Sequence, residues 1–187
     1  MKALILLFWQ MLRFKRGPED APYSTYLLML VIGCNFAVTA TGQWIARPSQ
    51  ANMALMMPII SLAVELIFMA LLLNIKQLGA RFVQTETSVL ACDTLLTLAV
   101  LPLLMIGLSL PAQSPMLKLL GLVEVVVLTW AIAMRGFIYH RALNISPFLG
   151  YLLAFMLLMF TLSITIKIFP ELLTQATAAA IEASKPR

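Results

Sequence analysis

Four polar side chains inside long apolar stretches carry the groups in this chain best able to do chemistry in lipid: Asn35, Glu65, Asp93 and Glu124. Asn35 lies twelve residues past Tyr23, Glu65 ten before Ile75, Asp93 eight past Thr85 and Glu124 eleven before Arg135. At a helical rise of about 1.5 Å per residue, each lies roughly 12–18 Å from one membrane face. Half a hydrocarbon core is about 15 Å. Three carboxyls and an amide are thus expected in one layer near the midplane. Such a layer can cycle protons, hold a cation, or join helices through hydrogen bonds donated by neutral acids. An isolated charge at that depth costs at least ~2.5 kcal/mol. No basic residue is expected there, since Lys118 and Lys167 lie near helix ends and can snorkel outward. The acids are therefore expected to be neutral and to act as helix glue, with an ion or proton pathway as the alternative.

Spacing turns these groups inward. Asn35, Thr39 and Gly42 share a helical stripe, as do Ser61 with Glu65, Asp93 with Thr97, Gly121 with Glu124, and Thr161 with Thr165. Small and hydroxylated stripes allow close helix packing in lipid.

The elements that position these groups follow from composition. Of 187 residues 61% are hydrophobic and 11% charged, against about 25% charged in a soluble domain. Continuous apolar runs favour helices over the alternating strands of a barrel. Five runs are long enough to span: about 23–44, 51–75, 85–110, 115–135 and 147–169. Ser24 is a natural N-cap for the first, and Pro58 and Pro102 should kink the second and third. Residues 1–16 are expected to form an interfacial amphipathic helix, with Lys2, Trp9, Arg13 and Arg16 on one face, broken by Gly17 and Pro18. No small-x-small cleavage site marks this start as a signal peptide. The expected fold is an all-α polytopic membrane bundle: five transmembrane helices over 23–169, the N-terminal interfacial helix, and a polar tail over 170–187.

The net charge of +5 is read as an orientation signal rather than a nucleic-acid footprint. Lys2, Arg13, Lys15, Arg16, Lys76, Arg81, Arg135 and Arg141 fall on one side, against Arg47, Lys118, Lys167, Lys185 and Arg187 on the other. The first side is expected to be cytoplasmic, so the amino terminus is inside and the carboxyl terminus outside, in a bacterial inner membrane. Lys2, Arg13, Arg16, Arg135, His140 and Arg141 are the candidate lipid-headgroup contacts. Cys34 and Cys92 are expected to be packing residues and the twelve methionines adaptable filler. No catalytic, metal-ligand or cofactor motif is present, so a non-enzymatic role without cofactor is expected.

The segment RFKRGPEDAPYS, Arg13 to Ser24, resembles small inner-membrane proteins of proteobacteria, in which a basic amphipathic start precedes a GP[EQ]D-like turn. The five-helix plan with a cytoplasmic amino terminus is similar to the Ypt-interacting-protein (Yip) domain family. Members of that family in eukaryotes work with small GTPases through a longer amino-terminal region than the one present here, and the resemblance carries over no site residue. The expected role is a membrane scaffold or interaction protein, embedded in the bilayer with a membrane-protein partner or a second copy of itself. The alternative is a small transporter or channel subunit using the midplane layer.

Overall fold

The computed structural model describes residues 2–111 and 114–171, and among them it forms six α-helices and no strand. The helices are α1 (Lys2–Leu12), α2 (Thr25–Ala46), α3 (Ala51–Ile75), α4 (Phe82–Ser109), α5 (Pro115–Leu143) and α6 (Pro147–Ile168). α2 to α6 are each long and apolar enough to cross a membrane. The expected polar tail falls almost wholly outside the described residues.

Local chemistry sets the helix ends. The Ser24, Ser114 and Ser146 hydroxyls accept from the backbone N–H groups of Leu27, Met116 and Leu149 (3.3, 3.2 and 3.3 Å), and Pro115 and Pro147 follow their caps at the first helical position. Three helices stop at non-glycine residues of positive φ: Phe14 (58°), Gln77 (57°) and Asn144 (50°). After each, an N–H reaches back five residues: Lys15 to the Gln10 carbonyl (2.9 Å), Leu78 to Leu73 (2.7 Å) and Ile145 to His140 (3.2 Å). These closures satisfy carbonyls that a helix end would otherwise strand.

α2, α4 and α6 start, and α3 and α5 finish, at the same end of the bundle, the near end. Gln84 on α4 donates to the Ala21 carbonyl just before α2 (2.7 Å). Arg81 donates to the carbonyls of Arg141 (3.4 Å) and Ala142 (3.3 Å) and to Asn144 Oδ1 (3.2 Å), closing the C-terminus of α5.

α1 departs from the amphipathic helix expected over 1–16. The helix ends at Leu12 and the left-handed turn at Phe14 redirects the chain, so Arg16 leaves the proposed basic face. Phe8, Met11 and Leu12 are buried, while Ile5, Leu6 and Trp9 are exposed, so both faces are apolar. The helix lies across the bundle. Cys92 Sγ donates to the Phe8 carbonyl (3.6 Å) and Trp130 Nε1 to the Leu12 carbonyl (3.0 Å). Phe14 packs against Trp130 and Phe137, with ring centroids 5.3 and 5.5 Å away.

The core occupies the near half, where Met11, Met69, Leu73, Cys92, Met134 and Ile138 are fully buried. α5 and α6 touch backbone to backbone there. A Cβ on Gly150 would press on the Gly136 carbonyl and lie 2.9 Å from the His140 nitrogen, and one on Gly136 would lie 2.8 Å from Tyr151 Cα. Only glycine permits this approach. The far half of α5 is different: Leu119, Leu122, Val125 and Val126 are exposed. Cavities open between it and α4.

Candidate functional site

The largest departure from expectation is the length of α5. It continues eight residues past Arg135 to Leu143, because Phe137, Ile138, Tyr139, Ala142 and Leu143 keep supplying side chains that pack or are buried. Arg135 is therefore held inside the bundle, not at a headgroup. It supplies the cation expected to be missing from the acidic layer. Its Nη1 donates to Glu65 Oε2 on α3 (2.8 Å), and its Nε (3.3 Å) and Nη2 grip the two oxygens of Asp93 on α4. A guanidinium is suited to this because its planar fork matches a carboxylate in two bonds and still has donors to spare.

Tyr139, one turn along α5 from Arg135, is fully buried and its hydroxyl donates to Glu65 Oε1. The Glu65 carboxylate is thus held from both sides by groups of one helix. Glu86 lies on α4 two turns before Asp93. It is fully buried, and both of its oxygens lack a hydrogen-bond partner among the described residues. The interior cluster therefore gathers two carboxyls, one guanidinium and one phenol, with the Glu86 carboxyl buried on the same helix as Asp93. Two carboxylates already share the single cation, so the group has capacity for a proton or a further positive charge. Among the described residues no set of three or more ligand side chains is arranged to hold a metal ion.

Of the expected layer, Glu65 and Asp93 come together. Asn35 is buried beside them but serves another end: its amide donates to the Leu90 carbonyl (3.3 Å) and to Thr94 Oγ1 (3.2 Å), tying α2 to α4. Glu124 does not belong to the layer. Counting from Leu143 rather than Arg135, it lies about 28 Å from the near end, roughly 16 Å beyond Arg135. It is exposed and has no ion-pair or hydrogen-bond partner among the described residues.

What links Glu124 to the cluster is space. A cavity of about 380 Å³ extends from Arg135 and Asp93 to Glu124. Its polar wall is made by Asn35, Thr39, Ser61 and Thr97, contributed by α2, α3 and α4. Pro58 also lines it, and a proline there withholds the N–H that would satisfy the Ala54 carbonyl one turn earlier. A smaller pocket of about 160 Å³ leads from Ser61, Asp93 and Arg135 to Thr161 on α6. All five long helices thus line connected spaces in which polar side chains are set among apolar ones such as Leu128 and Ala131.

The expected headgroup residues divide. Lys2 and Arg13 are exposed. Arg16 reaches Gln10 (2.9 Å) and Asp20 (3.5 Å), and Arg141 pairs with Glu19 (2.9 Å) while covering the Phe137 ring. His140 Nδ1 is bound to the Ile145 carbonyl. Arg81, His140 and Arg141 line a near-end cavity of about 470 Å³ that Glu19 also enters. Arg135, held by Glu65 and Asp93, is removed from the set.

Tyr139 and Glu86 were missed by sequence reasoning, and Arg135 was assigned to the wrong environment. The available signal was the apolar periodicity continuing through GFIYHRAL to the Asn144–Pro147 break. For Glu86 it was a carboxyl flanked by Thr85, Thr87 and Ser88, whose hydroxyls bond back to Arg81, Val83 and Gln84 carbonyls within the helix. No family model matches this chain, and no curated protein or solved structure matches it.

Proposed function

We propose that this protein is a small membrane transport protein, or a subunit of one, that moves a cation or a proton through its polar interior. One observation carries the reading: Arg135 ties α5 to α3 and α4 at the floor of a cavity that also holds Asn35, Thr39, Ser61, Thr97 and Glu124, within the membrane-crossing part of the bundle. A buried ion pair adds little net stability over apolar packing, so its presence in a lipid-embedded core favours a functional role. A proton or cation arriving on Asp93 competes with the guanidinium for the same two oxygens. Losing that contact loosens α5 from α4 and gives the helices a second arrangement. In this reading the near end, with Arg13, Lys15, Arg16, Lys76, Arg81 and Arg141, faces the cytoplasm of a bacterial inner membrane.

The test is flux in proteoliposomes containing a trapped pH dye, with imposed gradients of protons, sodium, potassium, methylammonium and dodecylammonium. The wild-type chain should dissipate at least one gradient faster than empty vesicles, and Asp93→Asn should abolish the difference. Identical traces with and without protein for every gradient would remove the reading.

A scaffold role is favoured by a separate observation, the exposed apolar flank of α5 from Leu119 to Val126. Lipid can cover that flank, and so can a second copy or another membrane protein. Crosslinking from Leu122→Cys in native membranes distinguishes them.

A further inference from the structure

Glu124 borders a second space besides the polar cavity. A slot of about 240 Å³ between the far halves of α4 and α5 is lined by Leu103, Leu104, Leu108, Leu117 and Gly121, with Glu124 at its end. Glycine makes room for it: a Cβ on Gly121 would meet nothing within 4 Å. Gly107 lines the same slot from α4, and a Cβ there would lie 3.6 Å from the Leu120 side chain and 4.0 Å from that of Leu117. The slot is thus an apolar channel in the side of the bundle that ends on an unpaired carboxylate. Beyond that carboxylate the wall mixes polar side chains with apolar ones such as Val100 and Leu128, and leads to Asp93.

We propose that the slot takes up a single-chain amphiphile with a protonated amine head, drawn from the surrounding bilayer. This identifies the substrate class for the transport reading above and rests on it. The apolar slot receives the chain. Glu124 at its inner end meets the ammonium, which is the charge that an unpaired carboxylate in a low-dielectric setting attracts most strongly. Asn35, Thr39, Ser61 and Thr97 then supply oxygens to the head on the way to Asp93. A small hydrophilic cation gains nothing from the slot, and an anionic amphiphile is repelled by Glu124.

Binding is measured with the full chain in phosphatidylcholine nanodiscs, using radiolabelled dodecylammonium and scintillation proximity, with empty nanodiscs subtracted for partitioning. Saturable binding is expected, with methylammonium at least 100-fold weaker as a competitor and dodecanoate ineffective. Glu124→Gln should weaken binding at least tenfold. Gly121→Phe, which fills the slot from an open position, should do the same through shape alone, so that the proposal can be judged even if one variant folds poorly. Lys118→Gln should leave binding unchanged. Non-saturable partitioning alone, equal affinity for methylammonium, or insensitivity to both variants overturns the proposal. Asp93-dependent flux of a small cation without dodecylammonium binding removes this inference and leaves the transport reading standing. Saturable, Glu124-dependent binding without any flux removes the transport reading and leaves a binding site for the amphiphile in place of a transport substrate.

Discussion

Arg135 and Asp93 face each other across the α4–α5 boundary with the guanidinium fork closed on both carboxylate oxygens, and the same guanidinium reaches Glu65 on α3. Three helices are therefore held by one side chain. Removing the cation strands two acids at once, whereas removing one acid leaves the cation with the other.

Arg135→Gln should accordingly be the most damaging single change in the cluster. We expect a loss of about 3–5 kcal/mol, the range for breaking a buried pair from one side. Thermal unfolding in lipid nanodiscs reads this out. Combining it with Glu65→Gln and Asp93→Asn should recover most of the loss, and a triple variant no better than the single one would mean that the damage lies in packing.

Tyr139→Phe removes the donor to Glu65 Oε1 without changing the volume of a fully buried ring. A hydrogen bond to a charged group contributes about 1.5–3 kcal/mol. The expected destabilisation is in that range, and a double-mutant cycle with Glu65→Gln should show coupling of about 1 kcal/mol or more. Additive effects would remove the contact from the account.

Glu86→Met should behave in the opposite sense. The carboxyl makes no hydrogen bond among the described residues while fully buried, and an unsatisfied buried polar group costs about 1–3 kcal/mol. Methionine is apolar and of similar length. Unchanged or raised stability is expected. If transport is present and falls in this variant, Glu86 has a place on the proton or cation route rather than in the packing.

Gly150→Ala tests the α5–α6 contact, where a Cβ meets the Gly136 carbonyl and the His140 backbone. Backbone cannot move aside as a flexible side chain can, so a loss of about 1–3 kcal/mol is expected. Gly121→Ala, in open space, should be neutral or slightly stabilising through helix propensity. Equal melting of the two alanine variants would argue against the close approach.

Much of the architecture was legible in the amino-acid sequence because it depends on local rules. Apolar runs of about twenty residues must become helices in lipid, since no other open segment satisfies its own backbone there. Ser24 as an N-cap follows from the same short-range chemistry. The pairing of Arg135 was not legible, because a charge beside a span of standard length is normally read as its end. α5 instead carries its helix two turns further, and the register of Glu124 moved with it, out of the layer. α1 formed as expected but is shorter than the apolar pattern suggested: a helical wheel assumes that the helix continues, and the left-handed residue Phe14 turns the chain before Arg16 can join the stripe.

The sequence by itself determined that this chain is helical with five segments long and apolar enough to span a membrane, that Ser24 caps the first, and that carboxyls lie within them. Only the tertiary structure decided which carboxyls meet, what cation they share and where space remains. Hydropathy and capping act over one or two helical turns, whereas the meeting of Arg135, Glu65 and Asp93 depends on the rotation and depth of three separate helices, and those are set by packing across the whole bundle.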